Sequence, residues 1–351
     1  MNNCSKKLVQ LTLFLCLAAG AALGAVTPTP TPTTKPTPMP PHPAAPMRMP
    51  RIMTVPGFPP PANTEGETSE KSIAVAPGVS LKMCISDGQL KVNGWDRNEI
   101  RLFVKDGTKA GFRVLEKDGE TGKPVWLLVS NQSGPHVGAG SECISGDIIE
   151  MDVPVKTSLT VKARSSQATV DLIRKIDITN VEGNVSLRNI SGGISAVALR
   201  GDLTVENSSG EISVETTTGN IVAYEVNPGQ VGDLFRAKTN SGTITLQKVD
   251  HRQIEANSIT GSVLFDGKFR SGGLYNFKTS NGSIRMLIPD DSSCTFKAAY
   301  GYGNFKYELP LKVVTENVTS GGKNVVATLG AGDATVNLTT SSGSIGIRKQ
   351  Q

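Results

Sequence analysis

Asn207-Ser-Ser-Gly-Glu-Ile-Ser-Val214, Thr216-Thr-Thr-Gly-Asn-Ile-Val-Ala223, Thr239-Asn-Ser-Gly-Thr-Ile-Thr-Leu246, Ser258-Ile-Thr-Gly-Ser-Val-Leu-Phe265, Thr279-Ser-Asn-Gly-Ser-Ile-Arg-Met286 and Thr340-Ser-Ser-Gly-Ser-Ile-Gly-Ile347 are six copies of one phrase. Each is a polar run ending in Gly, followed by apolar residues two and four places on. Repetition at a roughly fixed interval is the signature of a repeat architecture, and it ranks above any local signal. Glycine tolerates a positive φ, so the polar run reads as a tight corner. The alternation after it is the period of a strand with one buried face.

The residues at plus two, Ile212, Ile221, Ile244, Val263, Ile284 and Ile345, and at plus four, Val214, Ala223, Leu246, Phe265, Met286 and Ile347, are expected to face inward. The predicted corners are Gly88, Gly183, Gly201, Gly210, Gly219, Gly242, Gly261, Gly282 and Gly343. Steps of 18 from Gly183 to Gly201 to Gly219 give way to 23, 19 and 21, and Gly192, Gly193 and Gly210 mark half-steps, so one coil holds two corners. A five-residue strand cannot bury its apolar face alone, but coils stacked at about 4.8 Å share a dry interior. No window carries a helical apolar stripe over three turns. An antiparallel sandwich would fit the strand spacing as well, but it gives no reason for the phrase to recur in phase. The predicted fold is all-β, a single-domain parallel β-solenoid with an antiparallel β cap at its start.

Working outward, residues 1–24 carry Lys6 and Lys7, an apolar run from Leu8 to Leu23 and small residues at the end, the pattern of a secretory signal peptide. Leu15 stands before Cys16 where lipidation needs a small residue. No other stretch approaches the roughly 20 apolar residues of a membrane helix, so no transmembrane span is expected. Residues 25–64, opening Thr27-Pro-Thr-Pro-Thr-Pro32, form a Pro/Thr-rich extended spacer. Residues 65–158 are the N-terminal β cap and 159–351 the repeat array. Trp95 is expected to plug the end of the apolar interior, and Arg348 and Lys349 to guard the far end against strand pairing.

The five basic residues before residue 65 meet no acid and equal the whole net charge of +5, while the remaining 31 basic residues match the 31 acidic ones. The folded part therefore has no bias toward nucleic acid. Three cysteines lie beyond the signal, and in an oxidising compartment Cys84 and Cys143 are placed to bridge across the cap, leaving Cys294 buried.

The line Gly88 to Ile100, which reads Gly-x-Leu-x-Val-x-Gly-Trp-Asp-Arg-x-Glu-Ile, the Val153-Pro154 start and the serial Ser-Gly-x-Ile phrases together resemble the bacterial putative-adhesin family. The resemblance covers about residues 72 to 350. It implies a toast-rack-like β-solenoid of unknown function with an exported, non-catalytic surface or envelope role, and it brings no catalytic or binding residues.

A β-helix glycosidase or lyase needs acids converging from adjacent coils. The outward plus-three column reads Ser213, Val222, Thr245, Leu264, Arg285 and Gly346, with no acid; Asp177, Glu182, Asp202, Glu206, Glu211 and Glu215 bunch early in the array. His42, His136 and His251 stand apart, giving no metal-ligand cluster. Gly330-Ala-Gly-Asp333 matches part of a calcium-binding repeat once, and Arg200-Gly-Asp202 is a cell-attachment tripeptide whose Gly is in phase with the corners. No catalytic residue, cofactor or metal is predicted. The functional expectation is an exported non-catalytic scaffold of the periplasm, outer surface or medium, contacting an envelope protein or carbohydrate through a Ser/Thr/Asn-rich wall. A carbohydrate-active enzyme and an envelope-stress sensor are the alternatives.

Overall fold

Each coil begins with a strand whose alternate side chains point inward and ends on two corners of different chemistry. In the coil that starts at Ile194, the strand Ile194–Arg200 buries Ile194, Ala196 and Ala198. Gly201 turns the chain, Leu203–Glu206 buries Leu203 and Val205, and Asn207 takes φ 46° before Gly210 leads into the next coil. Asn tolerates that left-handed backbone better than most residues. The following coil lies parallel and residue for residue on this one, Ile194 beside Ile212 and Leu203 beside Ile221. In the computed structural model, residues 67–132, 143–230, 232–319 and 322–350 are described. They belong to one compact unit, Ala62–Gln351, whereas the expected signal segment and spacer lie outside the described residues.

Repetition of this coil makes two columns of strands around one interior. Column A runs from Pro124–Asn131 through Ile194–Arg200 and Leu274–Asn281 to Cys294–Tyr302. Column B runs from Ile144–Pro154 through Leu203–Glu206 and Ile284–Ile288 to Phe305–Tyr307. Ser80–Trp95 and Ser158–Asp171 are long enough to serve both columns. The columns face each other, since the Phe265 ring of column B lies 5.2 Å from Phe277 of column A. All twelve residues expected inward are buried. At roughly 1.5–3 kcal/mol for each fully buried aliphatic side chain, this shared interior is the dominant stabilising term. The fold is therefore an all-β parallel solenoid with antiparallel strands at its start.

Several details differ from the sequence reading. The Gly210 phrase opens a column A strand, whereas the other five phrases open column B strands. The inward columns read from sequence therefore mix two walls, because the same apolar alternation follows either corner. Within the opening cap, Glu67–Ala74, Glu99–Gly107 and Ala110–Lys117 are antiparallel, but Pro124–Asn131 and Ile144–Pro154 join the parallel stack on Ser80–Trp95. Trp95 is half-buried at a turn, donating Nε1 to Glu99 O at 2.7 Å under the Arg97 guanidinium, and plugs nothing. Arg348 and Lys349 do not guard an end. After Ile284–Ile288 the chain skips ahead to the outer rung, makes a hairpin, and returns to insert Ala334–Ser342 between Leu274–Asn281 and Cys294–Tyr302. The last strand is an interior rung, and Lys349 pairs with Asp290 at 2.5 Å.

The corner has a steric reason for glycine. A Cβ on Gly183, Gly201, Gly219, Gly242, Gly261, Gly282 or Gly343 would lie 1.9–2.3 Å from the carbonyl oxygen of the corner one rung below. On Gly88 it would lie 1.8 Å from Gly146 O; Gly210 belongs to the other corner, with Gly193 N at 2.7 Å. Those carbonyls face the interior and take side-chain partners. Thr216, Thr239, Ser258, Thr279 and Thr340 are buried and donate their hydroxyls to Gly201, Gly219, Gly242, Gly261 and Gly282 O at 2.7–3.1 Å. The first polar residue of each of these phrases is thus an internal fastening. At the cap, Cys84 and Cys143 form a disulfide with Cα atoms 4.5 Å apart. Cys294 is buried, and burial pushes its thiol up to about 12.

Gly242→Ala is expected to cost at least about 3 kcal/mol, because backbone stands where the methyl would go. Gly346→Ala, which meets nothing within 4 Å, is expected to be neutral or slightly stabilising in urea unfolding. Thr279→Val keeps the shape but orphans the Gly261 carbonyl, so its unfolding free energy is expected to fall by about 1–3 kcal/mol while Thr279→Ser stays near wild type.

Candidate functional site

With the first residue of each phrase turned inward, the later ones form the accessible surface. Thr218, Ser241, Thr260, Asn281 and Ser342 are exposed and stand in register on successive rungs. The same register brings Ser342 beside Tyr302 on the outer rung. From Thr218 onward this row carries hydroxyls and amides and ends at the 82% exposed phenol of Tyr302, whereas at its other end the same register sets Arg200 beside Thr218 and Glu182 beside Arg200. The residue after the Gly is exposed but tied along the stack: Asn184, Asp202 and Asn220 accept N–H groups from Asp202, Asn220 and Thr243 at 2.7–2.9 Å.

Where the regular corners end, the row runs into a trough of 310 Å³ lined by Tyr300, Tyr302, Lys323, Asn324, Thr339 and Ser341. Gly301 and Gly322 contribute no side chain to its wall, which is why the space exists. Lys323 Nζ sits 6.0 Å above the Tyr300 ring. Burial, and secondarily the Glu316 carboxylate, hold the Tyr300 phenol above its ordinary range, so it stays protonated. A flat polar row ending at an exposed aromatic ring suits stacking and many modest hydrogen bonds. Sequence reasoning missed this trough. Its signal was Tyr300-Gly-Tyr-Gly-Asn-Phe-Lys-Tyr307, which holds three of the five tyrosines.

A second groove, of 530 Å³, follows the other corner past Asn207, Glu225, Lys248, Asp250 and Lys268. Three of its charges, Glu225, Lys248 and Asp250, are committed to ion pairs. Lys248 donates to Glu225 at 2.8 Å and to Tyr224 OH at 3.1 Å, which lowers the Glu225 carboxyl and raises the lysine. Arg270 clasps Asp250 through two nitrogens, with Nε at 2.7 Å. Glu225 and Lys248 take φ 53° and 52° in line with Asn189 and Asn207, so these left-handed residues are the stacked corner itself.

The acids singled out in the sequence do not converge. Asp177 and Glu215 lie on the outside of column A, Glu206 on column B, and Glu182, Asp202 and Glu211 at corners. Glu215 pairs with Lys238 at 2.7 Å, and the Asp202 carboxylate of the Arg200-Gly-Asp202 tripeptide caps Asn220 N. In Gly330-Ala-Gly-Asp333, the N–H groups of Ala331, Gly332 and Asp333 converge on Ser293 Oγ at 3.0–3.3 Å, so the loop wraps a hydroxyl. Among the described residues no group of three His, Cys, Asp or Glu could hold a metal. His42 and His136 lie outside the described residues.

Residues 86–348 match the profile of the Toastrack DUF4097 family, three quarters of the chain. The chain belongs to that family. Two solved structures are similar to the chain: a putative cell adhesion protein from Clostridium sporogenes, 12% identical with 81% of this chain and 100% of the other covered at a TM-score of 0.26, and a putative adhesin from Parabacteroides distasonis, 13% identical with 81% and 98% covered at 0.28. Scores this low leave membership resting on the sequence match. No curated protein matches the chain. Among the described residues no helix is long and apolar enough to cross a membrane.

His251 is buried beside Phe235, with Nε2 2.8 Å from Gly210 O, so Nε2 carries the proton; Nδ1 has no partner. Burial pulls the imidazole pKa below its ordinary value, against the nearby Asp233 and Asp250 carboxylates. The folded state therefore holds the neutral ring, and the unfolded chain binds the extra proton below about pH 6.5. Stability is expected to be level above that pH and to decline as pH drops below it, with the slope reduced in His251→Phe; urea midpoints between about pH 8 and about pH 5 check this.

Proposed function

We propose that this chain is an exported, non-catalytic, adhesin-like binding or scaffold protein of the bacterial cell envelope or surface, and that the uncharged row on its Ser/Thr/Asn-rich wall contacts a neutral carbohydrate. The observation that carries this reading is the in-register row Thr218, Ser241, Thr260, Asn281 and Ser342 ending at exposed Tyr302. A row of small polar groups at strand spacing of about 4.8 Å offers a repeating ligand a repeating surface. Stacking on tyrosine adds affinity that does not depend on charge. Turnover needs groups poised to move protons. The carboxylates near the wall are instead spent on ion pairs, Glu215 with Lys238 and Glu255 with Arg236 at 2.8 Å. The Lys6-Lys7 start, the apolar run behind it and the Pro/Thr-rich stretch 25–64 support a division into signal peptide, spacer, cap and array.

Wild-type protein on a glycan array is expected to retain neutral polysaccharide, and Tyr302→Ala to weaken that binding about tenfold, or about 1.4 kcal/mol, with an unchanged melting temperature. Binding that ignores Tyr302, or capture of an envelope protein with no glycan retained, would replace carbohydrate with a protein partner. Release of reducing ends from a bound polymer would overturn the non-catalytic reading.

A further inference from the structure

The two columns are unequal at the C-terminal end. Column B stops at Phe305–Tyr307, whereas column A continues past Cys294–Tyr302 by two strands, Gly322–Leu329 and then Lys312–Thr319. Cross-strand partners share a face. Val313 lies opposite buried Ala327, on the inward face, yet is 40% exposed, and Val318 is 69% exposed. Tyr307, in line with buried Ile347, is 44% exposed, and among the described residues no strand lies beyond it in column B. Leu309 in the connection is buried and seals the interior, so what stays uncovered is the step itself. Among the described residues, the outer edges of Lys312–Thr319 and Phe305–Tyr307 pair with no strand. Natural sheets protect such edges with charge, bulges or a covering element. The edge of Lys312–Thr319 has a bulge between Val313 and Thr315 and charges at Lys312 and Glu316, yet it also carries three exposed valines, Val313, Val314 and Val318.

We propose that this end is the interface of a two-fold symmetric dimer, and that the step is filled by a second copy of the chain. An inverted copy brings its own two-strand overhang to the place where column B stops and receives this chain's overhang in return. Both interiors then become continuous, as an isologous contact requires. Head-to-tail stacking fits less well. At the opening end column B extends beyond Ile144–Pro154 by two strands and column A beyond Pro124–Asn131 by one, so that step is one strand deep and cannot fill one of two.

The test is sedimentation equilibrium on the full chain with the processing it receives in the cell. The expected mass is twice that of the monomer. Val313→Lys with Val318→Lys is expected to halve it without moving the melting temperature, and Leu115→Lys, on the opening end, to leave it unchanged. In wild type, amides of Phe305–Tyr307 and Lys312–Thr319 are expected to exchange more slowly in concentrated than in dilute solution, a readout that needs no substitution. A monomer at every concentration, open-ended oligomers that keep growing, loss of the dimer in Leu115→Lys, or a dimer indifferent to the double variant would overturn the proposal.

Discussion

A carbonyl oxygen occupies, at each corner, the space that a Cβ on the next rung would need. Within the repeat array, Gly242 over Gly219 and Gly343 over Gly282 have the closest contacts, at 1.9 Å to a hypothetical methyl. Only backbone without a side chain can stack this closely, and only a donor from the interior can satisfy the oxygen that results. The buried hydroxyl three residues before Gly242, Gly261, Gly282 and Gly343 supplies that donor. Steric exclusion and hydrogen-bond satisfaction are thus solved by one short phrase, and every rung depends on the rung beneath it having solved them too.

Once the corner is set, the inward face has little freedom and the outward face has much. Inward positions other than the hydroxyls that fasten the corners are aliphatic or aromatic because they share one dry interior, and the phenyl group of Phe265 packs against Phe277 of the facing wall. Outward positions only need to avoid disturbing the ladder. That is where the uncharged row, the committed ion pairs and the trough beside Tyr302 are found, and it is why function on this scaffold is a property of its surface and ends.

The ends are built by a different logic from the middle. A regular coil adds to its predecessor, but both terminal regions double back: Ser80–Trp95 lies between strands that follow it in sequence, and Ala334–Ser342 is inserted between strands that precede it. These contacts join residues far apart along the chain, so their closure costs more chain entropy than adding a coil. The Cys84–Cys143 bond spans one such region, closing 59 residues of separation. At the other end the hairpin remains as an overhang whose valines meet solvent.

The periodic phrases alone determined that the chain is all-β, that it coils in parallel, that Gly corners recur and that Ile212, Ile244, Ile284 and their counterparts are buried; local sterics and a two-residue alternation act within one coil and need no distant partner. They could not separate Gly210 from the corners of the other wall, since the alternation after each is alike. Nor could they show that Thr216 or Thr279 is an internal fastening, because a polar side chain next to glycine looks the same whether it faces water or a carbonyl. Trp95 as a turn residue, the return of Ala334–Ser342 to an interior rung, and the trough formed by Tyr300, Tyr302 and Lys323 were decided only by tertiary structure. Each depends on which segment lies beside which across tens of residues, and that choice is made by edge pairing and packing, which no local spacing encodes.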